Sequence, residues 1–103
     1  MTLALGRTVL YTLAEEDAVK INKRRDDYKA HLAKYPGYEG DGSICHVGNP
    51  VRAGDVFPAV VVRVFEQAGS ANLQVTLDGT DTFWACSVSE GTGPRTWAWP
   101  TKV

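Results

Sequence analysis

The sequence predicts a single α+β domain spanning residues 1–103, with one long N-terminal helix packed on a small, curled antiparallel sheet similar to an SH3-like barrel. Three observations carry that prediction. Residues 1–35 hold seven Lys/Arg, five Asp/Glu and one Gly, whereas residues 36–103 hold four, seven and nine. A helical period occupies the first part, and short β-rich runs separated by Gly, Asp and Pro occupy the second. A chain of 103 residues is also long enough to build one core without a metal or disulfide framework.

The elements follow in order. Residues 7–13 (RTVLYTL) form a first strand with Val9, Tyr11 and Leu13 on one face. Thr12 stands three residues before Glu15, the spacing of a capping box. Glu15, Glu16 and Asp17 suit the positive end of a helix dipole. A helix over 13–34 follows, its apolar stripe running through Ala14, Ala18, Ile21, Tyr28 and Leu32, with Arg25 interrupting it. Pro36-Gly37 stops it.

Residues 36–103 read as strands and turns. Residues 38–43 are a loop, 44–47 a short strand, and Gly48-Asn49-Pro50 and Ala53-Gly54-Asp55 are turns. Residues 56–65 (VFPAVVVRVF) form the next strand, apolar on both faces at Val60 to Val62 and so expected to be covered on both sides. Pro58 belongs at its start or on an edge. After a loop at 66–71, Leu73, Val75 and Leu77 alternate with polar residues in a half-buried strand. Asp78-Gly79 turns the chain into a hairpin partner at 82–88, with Trp84, Cys86 and Val88 on one face and Phe83, Ala85 and Ser87 on the other. Residues 91–94 are a loop, and 96–100 (TWAWP) end the sheet with Trp97 and Trp99 on one side.

Composition excludes several functions. A net charge of −1 opposes a generic nucleic-acid coat or a polybasic membrane-surface protein. No apolar run approaches the ~20 residues of a membrane helix. The opening residues carry no basic start or long apolar centre of a secretion signal, so a cytoplasmic protein is expected. Cys45 and Cys86 could form one disulfide, but read rather as free buried thiols in a reducing compartment, since small secreted scaffolds usually carry more cysteines.

Catalytic and metal chemistry find little support. Cys45 and His46 are adjacent and would diverge on a strand, and His31 and Cys86 add no paired-ligand spacing. No nucleophile elbow or phosphate loop is present. The expectation is therefore no catalytic residue, no metal and no cofactor.

Two groups could bind a ligand. Lys23-Arg24-Arg25 reads either as a solvated helix face balanced by Asp26-Asp27, or, through Arg25 on the apolar stripe, as a guanidinium reaching a pocket or subunit interface. Trp84, Trp97 and Trp99 read as core or, beside an arginine, as a stacking platform for a nucleobase. His46 and Asn49 flank a turn, which they either shape or use to line a site.

Taken together, Val9-Leu10-Tyr11-Thr12-Leu13, Asp17-Ala18, Ile21-Asn22-Lys23-Arg24-Arg25, His46-Val47-Gly48-Asn49, Ala53 to Pro58, Leu77 to Asp81 and Trp97-Ala98-Trp99-Pro100 resemble a family of small tailed-bacteriophage and prophage proteins with no assigned activity. The resemblance implies a phage protein acting in the host bacterial cytoplasm or the virion, and transfers no site residue. The expected function is a non-catalytic counter-defence sponge for a nucleotide signal. Its ligand-binding residues would be Arg24, Arg25, His46, Asn49, Trp84, Trp97 and Trp99. Homo-oligomerisation is expected because Val60 to Val62 and the hairpin turn apolar side chains to both faces of a small sheet. The alternative is a protein-interaction module, either a virion component or an inhibitor docking on a host protein. Single-strand nucleic-acid binding is disfavoured by charge.

Overall fold

The computed structural model describes residues 3–34, 49–79 and 81–100 of the 103. In chain order the elements are β1 (Thr8–Thr12), α1 (Glu15–Lys34), β2 (Val56–Phe65), β3 (Ser70–Thr76), β4 (Thr82–Glu90) and β5 (Thr96–Ala98). The strands close into a barrel in the order β1-β2-β3-β4-β5. The helix is thus inserted between the first two strands, and the domain is α+β with one small barrel. The short strand expected at 44–47 lies outside the described residues.

Four of the five strand pairings are antiparallel, but β4 meets β5 in parallel, which corrects the wholly antiparallel expectation. Residues 91–95 are too few for a regular parallel crossover. Contact is accordingly confined to two residue pairs, Ser89 with Thr96 and Glu90 with Trp97.

Strand alternation fills the barrel. Val9 and Tyr11 from β1, Ala59 and Val61 from β2, Ala71, Leu73 and Val75 from β3, Ala85 and Val88 from β4, and Trp97 from β5 are all buried. Each large side chain moved from water into such a core contributes about 1.5–3 kcal/mol. Pro58 sits opposite Leu10, whereas the β3 ladder begins only at Ala59, so its missing N–H lies beyond the last pair on that edge.

Asn72 explains how the sheet curls. On β2 the register slips between Val61 and Arg63, and on β4 between the partners of Leu73 and Ala71. Asn72 therefore stands opposite a β-bulge on each neighbouring strand, and bulges add local twist and bend. Its Oδ1 accepts the Ser87 amide at 2.7 Å, and Ser87 holds a left-handed φ of 53°. This bulge breaks the expected facing on β4: Val88 is buried, while Trp84, Cys86 and Ser87 are exposed.

The helix enters differently from the expected capping box. It begins at Glu15 rather than at residue 13, so the N-cap is Ala14, which has no capping side chain. Asp17 at the third helical position supplies the acceptor instead: its Oδ2 takes the Ala14 amide at 3.0 Å and the Tyr11 hydroxyl at 2.5 Å. Thr12 and Glu15 make no such box.

The helix is seated by a mixed stripe of Asp17, Ala18, Ile21 and Arg25, all buried. Tyr28 is half-buried, and the side chain of Leu32 lies outside the described residues. Asn22 adds a two-point bond to the chain leading into β2, donating to the Val51 carbonyl at 2.8 Å and accepting its amide at 3.0 Å. No described helix is long and apolar enough to cross a membrane.

Candidate functional site

The arginine pair is committed to holding α1 against the turn between β3 and β4. That turn follows from sequence: Leu77 donates its amide to the Asp81 carbonyl at 3.2 Å, and Gly79 supplies the left-handed φ of 87°. The turn points two carboxylates at the helix. Arg24 Nε donates to Asp81 Oδ2 at 3.0 Å, and its terminal nitrogen also donates to the Thr82 carbonyl. Arg25, only 3 % exposed, donates to the carbonyls of Asn49 and, at 3.4 Å, Asp78. Its Nε lies 3.6 Å from Asp81 Oδ2 and makes no hydrogen bond.

Asn49 belongs to the same cluster. Its side-chain amide donates to Asp78 Oδ2 at 2.7 Å, so the residue before Pro50 ties the approach to β2 to the far turn. Arg25, marked in the sequence as the interruption of the apolar stripe, is buried together with Ala18 and Ile21 of that stripe. Its acidic partners were missed, because Asp78 and Asp81 read as ordinary turn residues until the fold brings them to the helix.

The tryptophans do not join this cluster. Trp97 is 3 % exposed and lies in the barrel core, with its indole N–H unpartnered. Trp99 is half-buried and meets Trp97 edge-on, the ring centroids 5.4 Å apart at 85°. Trp84 is 58 % exposed. Arg24 lies over Phe83, 5.8 Å from the ring centroid, but Phe83 and Trp84 are consecutive on β4 and point to opposite faces. Among the described residues, the expected indoles and a free guanidinium are therefore not brought together. His46 and Cys45 lie outside the described residues. Among the described residues no three His, Cys, Asp or Glu side chains gather as a metal site.

What the barrel does present is an apolar outer face. Val60 pairs with Gln74, and Gln74 with Trp84, so the three stand in one row on one side of three adjacent strands. Val56, Pro58 and Val62 continue the β2 side of that face. Val60 and Val62 are 39 % and 47 % exposed, and Val56 is 51 % exposed. The expectation that Val60 to Val62 is covered on both sides is thus corrected: Val61 fills the core, and its neighbours face outward. A run of valines announces a strand without revealing which of its faces is open.

One buried pair carries a strong electrostatic signature. Burial and the Asp17 carboxylate together push the Tyr11 phenol well above its ordinary range. The group is neutral and donates its proton, an arrangement that braces the helix N-terminus and leaves no exposed acid or base.

Comparisons with protein families, characterised proteins and solved structures find no match to this chain.

Proposed function

We propose that this protein is a non-catalytic interaction module that docks a partner protein on the outer face formed by Val56, Val60, Val62 and Trp84. The observation that supports this most is the exposed tryptophan set in a row with Val60 across three hydrogen-bonded strands. An exposed indole flanked by aliphatic side chains on a rigid sheet has the composition of an interface hot spot. Strand order, with β5 returning beside β1, supports reading the barrel as SH3-like, a scaffold that carries unrelated functions on its surface. On the resemblance to phage proteins drawn from the sequence, the partner proposed is a protein of the bacterial host or the virion.

The nucleotide-sponge reading is the weaker proposal, because phosphate capture needs a guanidinium that is not already paired. Both Arg24 and Arg25 are held by turn carboxylates and carbonyls.

The test is quantitative capture of host proteins with the wild-type chain, a Val60→Asp/Trp84→Asp variant and a Val19→Asp variant. Val19 is exposed on the helix and serves as the surface control. A stoichiometric partner lost only by the face variant supports the reading, and light scattering distinguishes self-association through the same face. A partner retained by the face variant overturns it.

A further inference from the structure

β2 outruns the strand beside it. Val56 to Val60 pair with β1, and Val61 still bonds the preceding segment, accepting the Gly6 amide and donating to the Arg7 carbonyl, each at 2.9 Å. There the pairing stops: among the described residues, no backbone group pairs with residues 62–65 on that edge. On the other edge Arg63, Val64 and Phe65 remain opposite Asn72, Ala71 and Ser70.

The departure of the neighbouring segment is built in. Arg7 donates to the Ala4 carbonyl at 3.2 Å, closing a turn in which Gly6 takes a φ of 82°. Gly6 and Arg7 both oppose Val61, a bulge that swings residues 3–5 away from β2. The result is an open cleft of about 560 Å³, with Leu3 and Leu5 on one wall and Val62, Arg63, Val64 and Glu66 on the other. Leu3 packs on the core, which fixes its wall, and Leu5 is exposed.

We propose that this overhang of β2 receives an extended segment of a partner protein as an added strand, apolar at alternate positions, with a carboxylate facing Arg63. The inference rests on the interface reading above, because Val62 belongs to both surfaces. A strand edge with unpaired amides and carbonyls is a template for another strand, which would lie about 4.8 Å away. The other overhanging edge, on β4, is obstructed, because Arg24 occupies the Thr82 carbonyl. Apolar side chains on both walls suit the alternating residues of the incoming strand. The Arg63 guanidinium, held 6.0 Å from the Phe65 ring centroid, is the cation along the cleft. Glu66, also in the lining, repels a second carboxylate, so Arg63 is where the partner's acid is accepted.

The experiment uses the full chain against a displayed library of random linear peptides. The expected winners alternate apolar residues around one Asp or Glu, and on binding they slow amide exchange at residues 62–65. N-methylating alternate peptide amides should abolish binding. Arg63→Glu should weaken it about tenfold, the equivalent of one charge-assisted hydrogen bond. Leu5→Asp, at an exposed position outside the barrel strands, should weaken it without affecting folding. Failure to enrich any peptide, or equal binding by the N-methylated peptide, overturns strand addition. If such binding is lost in Val60→Asp/Trp84→Asp, the outer-face reading stands while this one falls. Protection confined to 62–65 and indifferent to that double variant supports strand addition and narrows the interface from the broader face to the β2 overhang that contains Val62.

Discussion

The Arg25 guanidinium and the Asp81 carboxylate lie side by side in the interior, Nε to Oδ2 3.6 Å, each side chain only 3 % exposed. They are neighbours without being well hydrogen-bonded, because Arg24 takes the same carboxylate oxygen at 3.0 Å. Two guanidinium groups thus lean on one acid, with the Asp78 side chain a further 4.0 Å contact. Removing Asp81 leaves Arg25 buried beside a weaker acceptor, and breaking a buried pair costs about 3–5 kcal/mol. Asp81→Asn should fall near the lower end, since the Asn49 and Asp78 carbonyls still serve Arg25. Arg25→Met should cost less, because Asp81 keeps Arg24. Urea unfolding of the two variants checks the order, and a more stable Asp81→Asn would contradict it.

The phenol of Tyr11 gives the fold an alkaline limit. In the unfolded chain tyrosine titrates near pH ~10, and in the folded chain burial and Asp17 hold it higher. The native state therefore favours the protonated form. This contribution is complete below pH ~10 and is lost as pH climbs from there toward the folded value. Tyr11→Phe should cost about 1.5–3 kcal/mol at neutral pH, the range for a hydrogen bond to a charged group. It should also flatten the stability profile above pH ~10. Thermal melts of both proteins across that range provide the measurement.

Asn72 should be sensitive out of proportion to its size. Its Oδ1 is the acceptor that pins the Ser87 amide within the β4 bulge. Asn72→Ala should cost about 1–3 kcal/mol by leaving that donor without its partner. Ser87→Gly acts oppositely, since glycine adopts a φ of 53° without the Cβ conflict, and should add roughly 1 kcal/mol. Denaturant midpoints moving in opposite directions would confirm both.

Gly91 is required by a close approach. A Cβ there would lie 2.9 Å from Thr96 Cγ2. Thr96 is not free to turn aside, because its hydroxyl donates to the Gly93 carbonyl at 2.6 Å. Gly91→Ala should destabilise by about 1–3 kcal/mol, the usual cost of overpacking. Thr96→Ser removes the obstructing methyl and keeps the hydroxyl, so it should restore part of the loss in the double variant. Additive losses in the double-mutant cycle would reject the contact as the cause.

How much of this was legible in the sequence depended on how local each signal was. The alternation of Leu73 and Val75 identified a strand with one buried face, and the 3.6-residue period identified the helix. The Ser87 bulge was not legible, because the residue in the left-handed conformation is not a glycine and its support comes from Asn72 on another strand. The helix cap misled for a related reason: Thr12 has the right spacing, but β1 claims it, paired with Val56 and Thr96. For the candidate site, Arg25 was marked by its conflict with the stripe. Trp84 was marked only as one of three indoles, and its pairing with the exposed Gln74, a contact between strands, is what turns it to water.

The parallel seam between β4 and β5 also bears on the order in which the molecule assembles. β2, β3 and β4 are chain neighbours and can pair across short turns, whereas β1 closes against β5 through Leu10 with Ala98 and Tyr11 with Trp97. Those contacts join segments near opposite ends of the domain and carry its largest loop-closure entropy. The β2–β4 meander is thus the natural nucleus, and the Tyr11–Trp97 pairing completes the fold late. Trp97 then acts as a bolt slid home after the frame is built, and with Trp84 and Trp99 replaced by Phe its fluorescence should report closure of the ring rather than formation of the sheet.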